Sequence, residues 1–114
     1  VIGDQIGSPT RAKDLSEAIF EIINNKKYQS KTYKTEIYHY SNKGTISWFD
    51  FAKEIFDLSN TNCKIVRIKD DQFPTLAKRP KFSVMNKNKI EKQFNIKLLN
   101  WKIALSEYFR ETQG

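Results

Sequence analysis

Val1-Ile2-Gly3-Asp4-Gln5-Ile6-Gly7-Ser8-Pro9-Thr10 opens the chain and governs how the rest of it reads. It begins as a short apolar run with strand character. Gly7 and Pro9 break that run, and Thr10 opens a helix that passes through Asp14 and Leu15. A glycine lets the backbone approach a ligand closely or take angles closed to other residues. Thr10 is a residue type that caps helices, and free N–H groups at a helix start suit an anionic ligand. The same ten residues also read as a plain strand–turn–helix junction, and a short motif does not by itself choose between the two.

Working outward, residues 10–27 read as an amphipathic helix, with Leu15, Ala18, Ile19, Ile22 and Ile23 in one apolar stripe. Residues 28–35 are polar and read as a loop. Ile37, Tyr38 and Tyr40 give residues 36–41 strand character. Ser41-Asn42-Lys43-Gly44 carries turn chemistry. Ser47 is a good helix cap with Asp50 three residues on, and the helix over 48–58 is expected to bury Phe51, Ala52, Ile55 and Phe56. Asp50, Glu54 and Asp57 have the spacing of a solvated face, not of a catalytic pair. Residues 59–62 are a turn, and 63–68 alternate as a further strand through Ile65, Val66 and Ile68. Residues 70–84 are irregular and hold Pro74 and Pro80. Asn86 caps a short helix in which Ile90 and Phe94 share a face. Asn100 caps the last helix, where Trp101, Ala104, Leu105 and Tyr108 share a face. The order is strand, helix, strand, helix, strand, loop, helix, helix. It predicts an α/β class with a small sheet of about three short strands and four helices, one domain over 1–114.

Composition narrows the function. A chain of 114 residues can bury a real core. No apolar run reaches the roughly 18–20 residues of a membrane span, and no secretory signal is visible. The first residue lies in mid-strand without an initiator Met, so the expectation is a piece of a longer protein. The single cysteine, Cys63, has no internal disulfide partner and is expected as a small packing residue. With one His and one Cys there is no zinc set. A reducing cytoplasm is the expected setting. The net charge is +7, but the lysines scatter over solvated faces and loops, and nucleic acid is not the expected partner.

The chemistry of dinucleotide binding is missing. It needs a glycine-rich turn between strand and helix, and Gly3, Gly7, Gly44 and Gly114 form none. A short-chain dehydrogenase also needs a tyrosine acid with a lysine four residues later. The residues at that spacing after Tyr28, Tyr33, Tyr38, Tyr40 and Tyr108 are Thr32, Ile37, Asn42, Gly44 and Thr112. Neither catalytic nor cofactor-binding nor metal-ligating residues are assigned. His39, between two tyrosines, reads as structural. Lys78-Arg79-Pro80-Lys81 is the best anion-binding segment, because a guanidinium can grip a phosphate with two parallel hydrogen bonds and Pro80 stiffens Arg79. It also reads as a solvated basic loop.

Four stretches together carry a resemblance. They are residues 4–10 with Asp14-Leu15, then Tyr38-His39-Tyr40-Ser41-Asn42-Lys43-Gly44, then Ser47-Trp48-Phe49-Asp50-Phe51-Ala52-Lys53-Glu54-Ile55, then Ala77-Lys78-Arg79-Pro80-Lys81-Phe82-Ser83-Val84-Met85. In this order they resemble the C-terminal part of the dTDP-4-dehydrorhamnose reductases, extended short-chain dehydrogenases. The resemblance implies a dTDP-sugar substrate whose C4 ketone is reduced with NADPH or NADH. It implies an N-terminal Rossmann part, absent from this chain, that carries the cofactor turn and the catalytic Thr, Tyr and Lys. This piece would then be the inactive substrate-binding lid. Carried over, Gln5, Gly7, Pro9 and Thr10 match the family's junction motif, and Arg79 and Pro80 its Arg-Pro segment, with Arg79 on the diphosphate. Trp48, Phe51, Trp101 and Tyr108 are expected in the core. Related motifs occur in the non-catalytic regulatory subunit of methionine adenosyltransferase, which leaves an interaction module as the alternative. Metal dependence stays open. A face left uncovered by the missing part would be apolar and would favour a homodimer.

Overall fold

The computed structural model describes residues 1–26 and 34–113. Its elements run β1 (Ile6–Gly7), α1 (Ala12–Ile23), β2 (Ile46–Ser47), α2 (Trp48–Leu58), a 3-10 turn (Asp70–Gln72), α3 (Asn88–Phe94) and α4 (Trp101–Gln113). The described residues form four helices and one two-stranded antiparallel sheet, with Ile6 opposite Ser47 and Gly7 opposite Ile46, and α2 packs on β2.

The opening segment is the seam of the molecule. Ile2 makes a parallel bridge to Ile68, and Ile6 makes one to Phe82. Gly3 N–H donates to Ile68 O at 2.9 Å, Phe49 N–H to Ile2 O at 3.0 Å, Ile6 N–H to Lys81 O at 2.8 Å and Ser83 N–H to Ile6 O at 2.9 Å. Residues 1–7 therefore hold three distant segments through backbone hydrogen bonds, which need no particular side chain.

Asn42 closes the second junction and is fully buried, at 0 % exposure. Its Oδ1 accepts from Arg11 N–H at 2.8 Å. Its Nδ2 donates to Asp14 Oδ2 at 2.7 Å and to Leu99 O at 3.1 Å. One amide thus ties the start of α1 to the approach of α4. Next to it Lys43 bridges Asn100. Gly44, at φ +91°, lies where a Cβ would come within 2.8 Å of the Trp101 ring, so only glycine fits.

The main cluster is Ala18, Ile90, Ile96 and Leu98, flanked by Ile22, Tyr38, Tyr40 and Phe94. It joins α1 to α3 and to the segment after α3. Asn95 ends α3 in the left-handed region at φ 53°, a usual helix stop. Trp101 and Ala104 bury the inner side of α4.

Several expectations hold. Ser47 caps α2, accepting from Asp50 N–H at 3.1 Å, and α2 spans the residues expected of it, but Phe51, Ala52, Ile55 and Phe56 are only half-buried and no residue of α2 is buried. Asn100 accepts from Lys102 N–H at 2.9 Å at the start of α4; Asn86 accepts from Asn88 N–H at 2.9 Å, but the cap position of α3 falls on Lys87, which makes no side-chain cap bond.

Others are corrected. Among the described residues the sheet has two strands, not about three, and β2 falls between the turn read at residues 41–44 and the helix cap Ser47, where no strand was expected. Residues 36–41 form no strand: Tyr38 and Tyr40 dock by their rings, Tyr38 edge-on to Phe94 at 5.1 Å, and no ladder partner runs alongside among the described residues. Residues 63–68 form no strand of their own among the described residues; they meet the opening segment through the bridge at Ile68 and the bond from the Val1 amine to Val66 O at 2.7 Å, and Cys63 is exposed, not packed. Helix α1 begins after Arg11, without a side-chain cap. Thr10 is occupied elsewhere, its hydroxyl donating to Ser8 O at 3.0 Å and accepting from Asn42 N–H at 3.3 Å. The helix stops at Ile23 because Asn24 closes it, its backbone and side-chain N–H groups both donating to Phe20 O. The expected helix end at Lys27 and most of the loop over 28–35 lie outside the described residues. On α1 only Ala18 is buried, while Leu15, Ile19 and Ile23 stay exposed.

Replacing Asn42 by Ala should cost about 2–4 kcal/mol in urea denaturation, since it strands the Arg11 N–H, the Asp14 carboxylate and the Leu99 carbonyl. Tyr40 gives a second test at high pH. Burial, with Asp14, Glu17 and Glu21 nearby, pushes its phenol up to about 12. Its raised value favours the neutral form in the fold, so that stability is full below pH 10 and falls as pH rises towards 12. Tyr40→Phe should flatten that alkaline loss and remove the latest step of the tyrosine absorbance titration.

Candidate functional site

Two cavities flank Trp48. The first is a cleft of about 600 Å³ lined by Ile2 and Gln5 from the opening segment, by Trp48, and by Asp70, Asp71, Phe73, Lys78 and Arg79 among the residues of the irregular segment. The second is an apolar cavity of about 400 Å³ between α2 and α4, lined by Pro9, Thr10, Trp48, Phe51, Trp101 and Tyr108 among others. Trp48 belongs to both.

The sequence-expected residues divide between them. Gln5 and Arg79 share the cleft. Pro9 and Thr10 face the apolar cavity. Gly7 lies in the ladder opposite Ile46 and lines neither. Pro80 is exposed beside Arg79 and lines neither. Of the four aromatics expected in the core, Trp101 is buried and Phe51 half-buried, but Trp48 and Tyr108 are each 48 % exposed. They border the cavity that opens between α2 and α4 beside the Phe51–Trp101 contact. His39 is exposed.

The least ordinary group in the cleft is Gln5. It is only 8 % exposed, yet its side-chain amide makes no hydrogen bond to any described residue. No side-chain N or O sealed wholly from solvent lacks a partner among the described residues, so the amide's atoms are those that reach the cleft surface. Buried amides are normally partnered, and an idle one at the wall of a cleft is suited to a ligand's donors and acceptors. Lys78 and Arg79 form no ion pair among the described residues, so their charge is available to an anion. Asp70 is positioned by its backbone, its N–H donating to Asp4 Oδ1 at 3.0 Å. Thr75 Oγ1 donates to Ala77 O at 2.7 Å and shapes the loop before Lys78.

Trp48 is held on both sides. Ser47 is locked opposite Ile6 in the ladder, and Phe49 N–H is tied to Ile2 O. Phe51 braces its ring edge-on at 6.5 Å and itself meets Trp101 at 5.8 Å. Below this, Arg67 donates to both Asp50 carboxylate oxygens at 3.2 Å and to Gly3 O at 2.8 Å, and its guanidinium lies over the Phe49 ring at 4.7 Å. The Ser47 hydroxyl first, and Arg67 with Lys53 after it, hold the Asp50 carboxyl below its ordinary value.

With this geometry in hand, the comparisons with known proteins decide the family. The RmlD substrate binding domain matches residues 1–113. The chain belongs to that family. The dTDP-4-dehydrorhamnose reductase of Aggregatibacter actinomycetemcomitans is 37 % identical over 92 % of this chain and 37 % of its own length. The spore coat polysaccharide biosynthesis protein SpsK of Bacillus subtilis is 35 % identical over 97 % of this chain and 36 % of its own. Among solved structures, the dTDP-4-dehydrorhamnose reductase of Clostridium acetobutylicum superposes with a TM-score of 0.87 at 35 % identity, over all of this chain and 38 % of that one. That of Bacillus anthracis, solved in complex with NADP, gives 0.78 at 37 % identity over 98 % of this chain and 37 % of that one. The chain thus spans little more than a third of the relatives it matches, and corresponds to their C-terminal part.

No helix among the described residues is long and apolar enough to cross a membrane. Among them, no group of three or more His, Cys, Asp and Glu side chains could hold a metal ion.

Asp50→Asn supplies the test of the brace under Trp48. A lowered carboxyl pKa stabilises the fold above the ordinary value of 3.8 and loses that contribution as pH falls through the folded value. The variant should be less stable than the parent at neutral pH and show a shallower acid-side loss, followed by thermal melts between pH 2 and 7.

Proposed function

We propose that this domain is the sugar-nucleotide-binding part of a dTDP-4-dehydrorhamnose reductase, the enzyme that reduces dTDP-4-dehydro-L-rhamnose to dTDP-L-rhamnose with NADPH or NADH. The observation that carries the reading is the largely buried amide of Gln5, without a partner among the described residues, in one cleft with Arg79. In this reading Arg79, stiffened by Pro80 and aided by Lys78, takes the diphosphate. Gln5 offers its amide to the ligand's polar groups, and Asp70 and Asp71 accept from sugar hydroxyls. Pro9 and Thr10 form the adjoining wall beyond Trp48, and Gly7 keeps the ladder narrow where Ser83 passes within 3.0 Å of the place a Cβ would take.

In this reading the nicotinamide cofactor is held elsewhere than on this domain: Gly3, Gly7 and Gly44 turn their Cβ positions towards Arg67, Ser83 and Trp101, and none opens a strand-to-helix turn of the glycine-rich kind. The redox step belongs to an N-terminal nucleotide-binding part, and this domain binds and orients the substrate beside it. The flat outline, 54 × 39 × 20 Å with a radius of gyration of 17.2 Å against about 13 Å for a compact chain of this length, suits a slab that rests on another body. So does the exposed stripe of Leu15, Ile19, Phe20 and Ile23, which serves equally in a homodimer. The relatives with reductase names favour this reading over the regulatory module.

Titration of the full chain with dTDP by calorimetry should show binding that Arg79→Ala weakens about tenfold, the loss expected for a charge-assisted pair of hydrogen bonds. Gln5→Leu should weaken it as well. Binding unaffected by either change would remove the cleft from the substrate site.

A further inference from the structure

The exposure of Trp48 calls for a reason. It opens α2, is tethered through both neighbours, and is braced by Phe51, yet half of its surface faces solvent. A rigid indole left open in a cleft is a stacking platform, since a planar ring gains most from a second planar ring and loses little entropy when it is already held.

The chemistry of the lining is also divided. The opening segment and α2 supply Ile2, Gln5 and Trp48, an apolar and aromatic surface with one amide. The irregular segment supplies Lys78 and Arg79 at its far end, after Asp70, Asp71 and the apolar Phe73, Pro74 and Leu76. A nucleoside diphosphate has the same division, a flat base with amide-like edges joined to a compact double anion. We propose that Trp48 is the specificity-determining residue of the cleft. Its indole stacks on the pyrimidine base, Gln5 meets the base's polar edge, and Lys78 and Arg79 hold the diphosphate. This rests on the sugar-nucleotide reading above. It adds that the site selects a nucleotide over a bare sugar phosphate through one aromatic face.

Stacking of a base on an aromatic side chain is lost on truncation to Ala and tolerated on exchange for another ring. In the full chain, Trp48→Ala should therefore weaken dTDP about tenfold or more and leave inorganic pyrophosphate within about twofold. Trp48→Phe should restore most of the dTDP affinity in calorimetry while abolishing the dTDP-induced quenching of indole emission. That loss assigns the signal to Trp48, not to the buried Trp101. Arg79→Ala should weaken both ligands alike. Equal losses of dTDP and pyrophosphate in Trp48→Ala would show a structural role and overturn the inference, as would dTDP affinity unchanged in that variant. A parent chain that binds dTDP no better than pyrophosphate overturns the stacking claim and leaves the anion site standing. A parent chain that binds neither overturns the sugar-nucleotide reading together with it.

Discussion

The amide of Asn42 is the contact on which the rest of this domain depends. Its fully buried side chain supplies one acceptor and two donors, and each has a partner. Those partners are the residue before α1, the first turn of α1, and the carbonyl just before α4. Arg11 and Lys13 also reach α4 through ion pairs with Glu107 and Glu111, but those carboxylates lie at the surface, where water screens such pairs. A satisfied polar group in the interior fixes geometry more narrowly than an apolar one, because every alternative arrangement leaves a buried donor or acceptor without a partner. Helix α1 lacks a side-chain cap of its own, and Asn42 takes over that role from 31 positions along the chain.

From that contact the site is reached by short steps. Ser8 Oγ donates to Gly44 O at 2.7 Å, so the turn after β1 and the turn after Asn42 move together. Gly44 packs against Trp101, and Trp101 meets Phe51, which supports Trp48. On the other side, the backbone bridges of Ile2 and Ile6 draw in Ile68 and Phe82, the two ends of the segment that carries Asp70, Lys78 and Arg79. The cleft is therefore built by connections between segments far apart in the chain. Its charged residues stand on irregular backbone, whose position is set at those two ends.

Local signals were legible where a residue acts on its own neighbours. Ser47 caps Asp50, and Asn100 serves the helix just after it. Helical periodicity located α2 and α4 within the residues expected. The same signals misled where a distant partner competes. Thr10 has cap chemistry, but Ser8 and Asn42 occupy its hydroxyl. Residues 36–41 have strand-forming side chains, but their rings find a packing surface and their backbone finds no neighbouring strand among the described residues. Cys63 and the apolar edge of α1 were expected to be covered because burial was inferred from residue type, and residue type does not report whether anything lies above it.

The sequence alone determined the family resemblance, the four helices, the caps Ser47 and Asn100 and the absence of a dinucleotide turn, since each depends on residues close together in the chain. It also marked Gln5 and Arg79, through motifs that stand 74 positions apart. Only the tertiary structure decided that these two share a cleft, that Pro9 and Thr10 face a different cavity, and that Trp48 stands between them half exposed. The reason is geometric. A cleft is made by the meeting of segments brought together through backbone bridges and one buried amide, and neither the bridges nor the amide's partners leave a periodic mark in the order of residues.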